Sequence, residues 1–421
     1  MPRFLYTFLL FLALPFVPFK LYWRGLKQPE YWQHWGERFG RYTQSPSAPV
    51  IWLHCVSVGE THAAAPLVKT LKHTYPDHQI LMTHTTPTGR AASVQLFGST
   101  VQRVYLPYDV PFAVRSFLKH FKPSIGLLME TELWFNLIAE SKKSDVPLLL
   151  LNARLSEQSA LGYKKLGRLV KNGLSNLSSV AAQTQADADR LQRLGANDVT
   201  IAGNLKFDVA PPTDSNNKGL ALRKLFGDAT LGKPRPIFLA ASTREGEEAL
   251  ILEAIKGLDV LTVIVPRHPQ RFDEVATLID QQKVNYARRS TLTSRIANDT
   301  KVILGDSMGE LFTYYAACDF TFVGGSLLNF GGQNLIEAAI MGKPVIIGEH
   351  TFNFAEASKN AIKSGAAIRI SNVKQLRQQI EVLLQDVNQR ESMGEAALTF
   401  SQSATGAADK MMVLIKSHIP K

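Results

Sequence analysis

Phe320-Thr321-Phe322-Val323-Gly324-Gly325-Ser326-Leu327-Leu328-Asn329-Phe330-Gly331-Gly332-Gln333-Asn334-Leu335-Ile336-Glu337 is an apolar run that breaks into glycines and hands over to a helix-like stretch, Leu335 to Met341. A strand that ends in this way leaves bare backbone N–H groups at a helix N-terminus, where they hold a phosphate or another anion. Glu337, just inside that helix, suits ribose hydroxyls. The stretch therefore reads as a nucleotide site, with a plain tight turn as the rival reading.

Outward from this stretch, short β-branched or leucine-rich runs alternate with helix-length segments. Strands are expected at Pro49–Leu53, Gln79–Thr83, Gln102–Leu106, Ser124–Met129, Leu148–Leu151, Ser179–Ala182 and Val199–Ala202, then at Pro236–Ala240, Leu261–Val265, Lys301–Leu304, Phe320–Val323 and Pro344–Ile347. Such alternation implies parallel sheets covered by helices on both faces. Ala210-Pro211-Pro212-Thr213-Asp214-Ser215-Asn216-Asn217-Lys218 reads as a linker. At 421 residues the chain exceeds one ordinary core, so two doubly wound domains are expected to meet near residue 210. Their strand C-termini are expected to face a central cleft, since ligands in such folds bind beyond those ends.

Residues Phe4 to Phe19 are almost wholly apolar and are followed by Lys20, Arg24, Lys27, Arg38 and Arg41. The run is short for a spanning helix, which needs about 20 residues. It carries only Arg3 before it and lacks small residues at a cleavage site, which argues against a signal peptide. An uncleaved membrane anchor or interfacial helix is expected, with a buried N-terminal helix as the alternative. The basic residues place the bulk of the protein on the cytoplasmic side, against anionic lipid. A net charge of +11 points to acidic partners, yet no basic and aromatic pattern of a nucleic-acid binder accompanies it. The cluster Lys164, Lys165, Arg168 and Lys171 has helical spacing and faces either lipid phosphates or solvent. Cys55 and Cys318 lack the spacing of a zinc site and of a disulfide framework.

Candidate chemistry gathers at the ends of strands. Glu60, in Cys55-Val56-Ser57-Val58-Gly59-Glu60, lies at a helix N-terminus that favours its ionised form; it is either a general base or a capping residue. Glu130 and Glu132, beside Trp134, either face a substrate or cap the helix that begins there. Lys206, in Asn204-Leu205-Lys206-Phe207-Asp208, is either a surface lysine or a group that neutralises negative charge. Three more junctions follow strands in the second half: Ser242 and Thr243 before Glu247 and Glu248, Pro266-Arg267-His268-Pro269, and Asp306-Ser307-Met308-Gly309-Glu310. The chain lacks a GxxxxGK[ST] loop and a GxGxxG after its first strand, which disfavours ATP hydrolysis and dinucleotide chemistry. No Asp-x-Asp pair stands beyond a strand to hold a metal-bound diphosphate, so a monophosphate donor fits and no metal is expected.

Ser57-Val58-Gly59-Glu60, Glu130-Thr131-Glu132-Leu133-Trp134, Gly203-Asn204-Leu205-Lys206, Pro266-Arg267-His268-Pro269, the glycine loop and His350-Thr351-Phe352-Asn353-Phe354 occur in one order over the whole chain. In this the chain resembles the Kdo transferases of lipopolysaccharide synthesis, which join 3-deoxy-D-manno-octulosonic acid from CMP-Kdo to a lipid A precursor. The resemblance implies an α/β protein of the GT-B fold, with two Rossmann-like domains and an N-terminal membrane-anchoring helix. It divides the chain into an anchor at 1–22, an acceptor domain at 23–209, a linker at 210–233, a CMP-sugar domain at 234–400 and a C-terminal helix at 401–421 that crosses back to the first domain. It further implies Glu60 as general base, Glu130 and Lys206 as stabilisers of the transition state, and CMP contacts on Arg267, His268, Met308, Gly309, Glu310, Asn334, Leu335, Ile336 and Glu337. Phe135, Gln333 and Glu349 stand where the family usually has proline, histidine and proline. Implied partners are CMP-Kdo, the lipid A precursor and the cytoplasmic face of the inner membrane, with no cofactor and no nucleic acid. The rival readings are a GT-B enzyme acting on a UDP-sugar, including an epimerase, and a membrane-anchored non-catalytic binding protein.

Overall fold

The computed structural model describes residues 1–227 and 235–419. The 228–233 end of the expected linker, residue 234, and residues 420 and 421 lie outside the described residues. Two compact units form, Met1–Val209 with Thr405–Lys421 and Ala210–Ala404.

The first unit holds a seven-stranded sheet: β1 (Val50–His54), β2 (Gln79–His84), β3 (Gln102–Tyr105), β4 (Pro123–Met129), β5 (Leu148–Ala153), β6 (Ser179–Ala182) and β7 (Val199–Ile201). The order is β3-β2-β1-β4-β5-β6-β7 and every pair is parallel. Successive side chains of a strand point to opposite faces. Trp52, Leu128 and Leu150 accordingly pack with Phe117 and Phe121 on one face, while Ile51, Leu53, Leu127 and Leu149 pack with Leu67, Met411 and Ile415 on the other. Both faces are covered, which is why these strands read as continuous apolar runs. Met411 and Ile415 belong to the helix Ala407–His418, whose start is fixed where Asp208 accepts the amides of Gly406 at 2.7 Å and Ala408 at 2.5 Å. The expected C-terminal helix thus packs on the first unit, and the helix before it, Val387–Ser403, ends in the second.

The second unit repeats the plan with β8 (Ile237–Thr243), β9 (Leu261–Pro266), β10 (Tyr286–Arg288), β11 (Val302–Leu304), β12 (Phe320–Val323), β13 (Val345–Ile347) and β14 (Ala367–Arg369). These run in the order β10-β11-β9-β8-β12-β13-β14, again all parallel. The two edge strands, β10 and β14, were not expected from the sequence: each has three residues and ends in arginine, as befits an edge that must not pair further. The stretch read as linker is another difference. A helix, Ser215–Phe226, starts within it behind an Asp214 to Lys218 ion pair of 2.6 Å, and its Gly219 approaches Ala316 so closely that an added Cβ would lie 2.3 Å from that methyl.

At the N-terminus, helices Arg3–Ala13 and Val17–Lys27 run on through a 3-10 turn, Leu14–Phe16. Pro15 and Pro18 fall near the start of the segment that follows each, where no helical N–H is lost. The stretch Arg3–Lys27 is long and apolar enough to cross a membrane by length and composition. One flank is nevertheless tied to the first unit: the Tyr6 hydroxyl donates to Asp109 at 2.8 Å, Thr7 donates to Asn136 at 2.9 Å, and Tyr6 meets Phe135 edge to face. Phe4, Phe8, Leu12, Phe16, Phe19 and Trp23 are exposed.

Candidate active site

Strand order fixes where ligands can sit. In the first unit the chain leaves β1 toward β2 on one side and reaches β4 on the other, so the β1/β4 boundary is the topological switch point where a crevice opens beyond the strand ends. Glu60 follows β1 and Glu130 follows β4, which explains how residues 70 positions apart come together.

Glu60 is 7% exposed. Its Oε2 accepts the Val56 amide at 2.7 Å, its Oε1 accepts the Ser57 hydroxyl at 2.8 Å, and Ser57 Oγ in turn accepts the Glu60 amide at 3.3 Å. The residue therefore does cap its helix, through a reciprocal arrangement akin to a capping box. Burial nevertheless pushes its pKa up to about 7 against those hydrogen bonds, and the charges of Glu130 and Glu132 add to the rise. Desolvation outweighs the helix end that was expected to favour the ionised form. The result suits a general base better, because a base works best when it titrates near the operating pH.

Glu130 lies in the left-handed region at φ 58°, sparsely populated for residues other than glycine, and its amide donates to Leu151 at 2.9 Å. Capping of the next helix, Phe135–Lys143, does not fall to it or to Glu132. Asp109 takes that role, accepting the amides of Asn136 at 3.0 Å and Leu137 at 2.7 Å. Burial also raises Glu132, with Glu130 adding to it.

Lys206 sits on the turn Leu205–Asp208. Burial lowers its pKa, while Glu130 and Glu60 act to raise it and Arg154 to lower it. Glu60, Glu130 and Lys206 thus feel one another, and the structure brings them to one place. A bracket of side chains holds the lysine turn. Asn152, at φ 53° where asparagine is tolerated, accepts the Leu205 amide at 3.0 Å; Gln183 donates to the Asn152 carbonyl at 3.0 Å; and Asn204 donates to Gln183 at 3.1 Å. Asn152, Arg154 and Gln183 were not singled out from the sequence. A polar Asn-Ala-Arg ending to the leucine-rich run of β5 was the available signal.

In the second unit the switch point lies between β8 and β12, and the glycine loop stands there. Its amides are not bare. Gly325 donates to Glu247 at 2.6 Å and Leu327 at 3.0 Å, while Gly332 and Gln333 bond back to Gly325 and Gly324. The helix beyond it is only Ile336–Ile340. The expected open amide cradle is therefore corrected: a carboxylate of the chain already fills part of it. Thr243, at the neighbouring strand end, donates to Glu248 at 2.7 Å.

The other expected contacts stand beyond β9 and β11 and on the helix after the loop. Arg267 and His268 are exposed at the end of β9, and His268 is held below the usual histidine range by partial burial and then by the guanidiniums of Arg244, Arg267 and Arg271. Such a field attracts an anion. Burial raises the Glu337 carboxyl, with Asn334 and Arg267 opposing it, so the β9 loop and the short helix share one neighbourhood. Asn334 donates to Glu337 at 3.0 Å and accepts the Ile336 amide at 3.1 Å; Leu335 is buried. Met308 is exposed and Gly309 has φ 77° with open space around it. The Glu310 carboxylate is engaged, by Arg289 at 2.7 Å and by Ser307, and its carbonyl accepts the Tyr314 amide at 3.0 Å.

Two doubly wound units in one chain, each with polar side chains gathered at the switch point of its parallel sheet, make the arrangement of the GT-B fold. A glycosyltransferase crystal structure from Rickettsia africae has this fold, with a TM-score of 0.59 at 14% identity over 89% of this chain and 100% of its own. Residues 33–209 match the 3-deoxy-D-manno-octulosonic-acid transferase (kdotransferase) family and residues 250–400 the glycosyl transferases group 1. The 3-deoxy-D-manno-octulosonic acid transferase of Bordetella pertussis is 42% identical over 89% of both chains, and that of Haemophilus influenzae 37% identical over 100% of this chain and 99% of its own. The chain belongs to the Kdo transferase family.

Proposed function

We propose that the protein transfers Kdo from CMP-Kdo to a lipid A precursor, with inversion and without a metal, at the cytoplasmic face of the inner membrane. The observation that carries this reading is the grouping of Glu60, titrating near 7, with Glu130 and Lys206. Glu60 takes the proton of a primary sugar hydroxyl of the acceptor. That oxygen bonds to the anomeric carbon of Kdo as the bond to the CMP phosphate breaks on the opposite face, and the leaving phosphate carries off the electron pair. Lys206 and Glu130 set the charge around the reacting groups. The Arg244 and Arg267 charges support an anionic nucleotide in the second unit, Arg271 being paired with Glu248 and Glu274, with Met308, Gly309 and Glu310 and Asn334 to Glu337 as its further contacts.

The N-terminal segment supports a membrane surface. Its contacts through Tyr6 and Thr7 hold one flank on the first unit while the other exposes aromatic and aliphatic side chains, which suits a helix lying in the lipid interface. Lys20, Arg24 and Lys27 are exposed alongside and suit anionic headgroups. Arg38, grouped with them in the sequence, is buried over the Tyr105 ring at 3.8 Å. Lys164 and Lys165 lie on one helix and Arg168 and Lys171 on the next, all exposed.

The test is to supply CMP-Kdo, formed beforehand, with a lipid A precursor and chelator, and to weigh the lipid by mass spectrometry. A gain of one or more Kdo masses is expected. An unchanged lipid, or binding of UDP in preference to CMP by calorimetry, sinks the reading.

A further inference from the structure

Two adjacent carboxylates in the second unit lie outside the expected nucleotide contacts. Glu247 and Glu248 open the helix Glu247–Ile255, and both are 0% exposed. Burying a carboxylate is costly unless its oxygens are satisfied, and here each is satisfied by a different loop. Neighbours on a helix diverge by about 100°. Glu247 turns to the glycine loop, where Oε2 accepts Gly325 at 2.6 Å and Arg244 at 2.9 Å and Oε1 accepts Leu327 at 3.0 Å. Glu248 turns to the β9 side, where it takes Thr243 at 2.7 Å and a two-pronged bond from Arg271 at 2.7 and 3.1 Å. Arg271 stands four residues beyond Arg267 and three beyond His268. Two further contacts knit the same region: the Arg244 guanidinium lies 4.6 Å from the centre of the Phe330 ring, and a Cβ on Gly324 would sit 2.5 Å from the Ser242 carbonyl oxygen.

We propose that Glu247 and Glu248 are positioning residues that lock the glycine loop and the Arg267–His268 loop to one helix end, so that the nucleotide meets a preassembled site. This rests on the nucleotide-binding reading of the second unit. The carboxylate form matters for Glu247, because its partners at Arg244, Gly325, Leu327 and Leu328 are all backbone N–H donors. An amide there sets its own NH₂ against at least one of them, and the loop must open to relieve it. For Glu248 the planar match to a guanidinium is what a neutral amide loses.

The experiment uses the full chain. CMP is titrated by calorimetry into wild type, Glu247→Gln and Glu248→Gln, and donor and acceptor KM and kcat are measured for each. Expected are a CMP Kd raised by about tenfold or more in either variant, the scale of one lost charged hydrogen bond, and a donor KM that rises while the acceptor KM stays. A purely structural role lowers the melting temperature and leaves CMP affinity of the folded protein alone; that outcome overturns the proposal. Wild type that fails to bind CMP overturns the nucleotide reading itself, which is a separate failure. Should Glu247→Gln not fold, hydrogen exchange in the wild type decides: slow exchange of the Gly325 and Leu327 amides without nucleotide supports the lock, and exchange at open-loop rates overturns it.

Discussion

The Tyr6 hydroxyl donates to Oδ2 of Asp109 at 2.8 Å, and the same carboxylate accepts the amides of Asn136 and Leu137. A buried acid thereby joins the N-terminal helix to the start of the helix that follows the Glu130–Trp134 loop. Burial raises the Asp109 carboxyl, against the hydrogen bonds from Asn136 and Tyr6, so the acid depends on those partners to remain charged.

Tyr6→Phe leaves one oxygen of Asp109 short of a donor while keeping the ring against Phe135. Losing one partner of a buried acceptor costs about 1–3 kcal/mol. The urea midpoint should fall with the slope unchanged; an unaltered midpoint means the helix is not docked there.

Glu60→Gln should reduce transfer to below a few per cent while CMP binding persists, since a general base contributes about 10²–10⁴-fold. In the wild type, kcat/KM should fall about tenfold per pH unit below pH 7, because protonating the base removes it. The stability effect has the opposite sense. A carboxyl raised from 4.5 to about 7 on folding contributes stability that is full below pH 4.5 and lost as pH rises to about 7. Glu60→Gln should flatten that part of the stability curve, and a wild-type curve already flat between those values refutes the shift.

The core was legible in the sequence because both faces of each sheet are covered, so strands such as Leu148–Ala153 are nearly unbroken apolar runs. The edges were not: Tyr-Ala-Arg and Ala-Ile-Arg are too short and too polar to stand out from loops. Glu60, Glu130, Arg267 and His268 could be singled out as candidates because each follows a strand, whereas Lys206 stood out only through the resemblance to the family. What lay beyond reach was how the polar groups pair. Glu247 occupies amides that the glycine loop read by itself leaves open, and Asp109 caps a helix that Glu130 and Glu132 were placed to cap. Both pairings join residues far apart in sequence, and no local pattern announces them.

Gly324→Ala tests how closely β8 and β12 approach at their ends. The new methyl would meet the Ser242 carbonyl oxygen at 2.5 Å and the Thr243 Cα at 2.6 Å, both backbone atoms with little room to yield. Overpacking of this kind costs about 1–3 kcal/mol, and CMP affinity should fall with it as the loop shifts. A variant as stable as wild type would show that the two loops stand further apart.

The N-terminal segment offers a cleaner separation of membrane binding from folding. Phe4, Phe8 and Leu12 recur at four-residue spacing, so they share one helix face, and all are exposed. Tyr6 and Thr7 hold the opposite flank, while Phe11 stacks on Phe112 at 6.3 Å and is left alone. Changing Phe4, Phe8 and Leu12 together to serine removes side chains each worth about 1.5–3 kcal/mol on burial in lipid, yet breaks no contact described within the protein. The triple variant should keep the wild-type melting temperature and its turnover of detergent-dispersed acceptor. It should lose sedimentation with anionic vesicles in high salt, where the attraction of Lys20, Arg24 and Lys27 is screened. Unfolding of the variant places this face inside the protein, and undiminished sedimentation moves the membrane contact to another part of the chain.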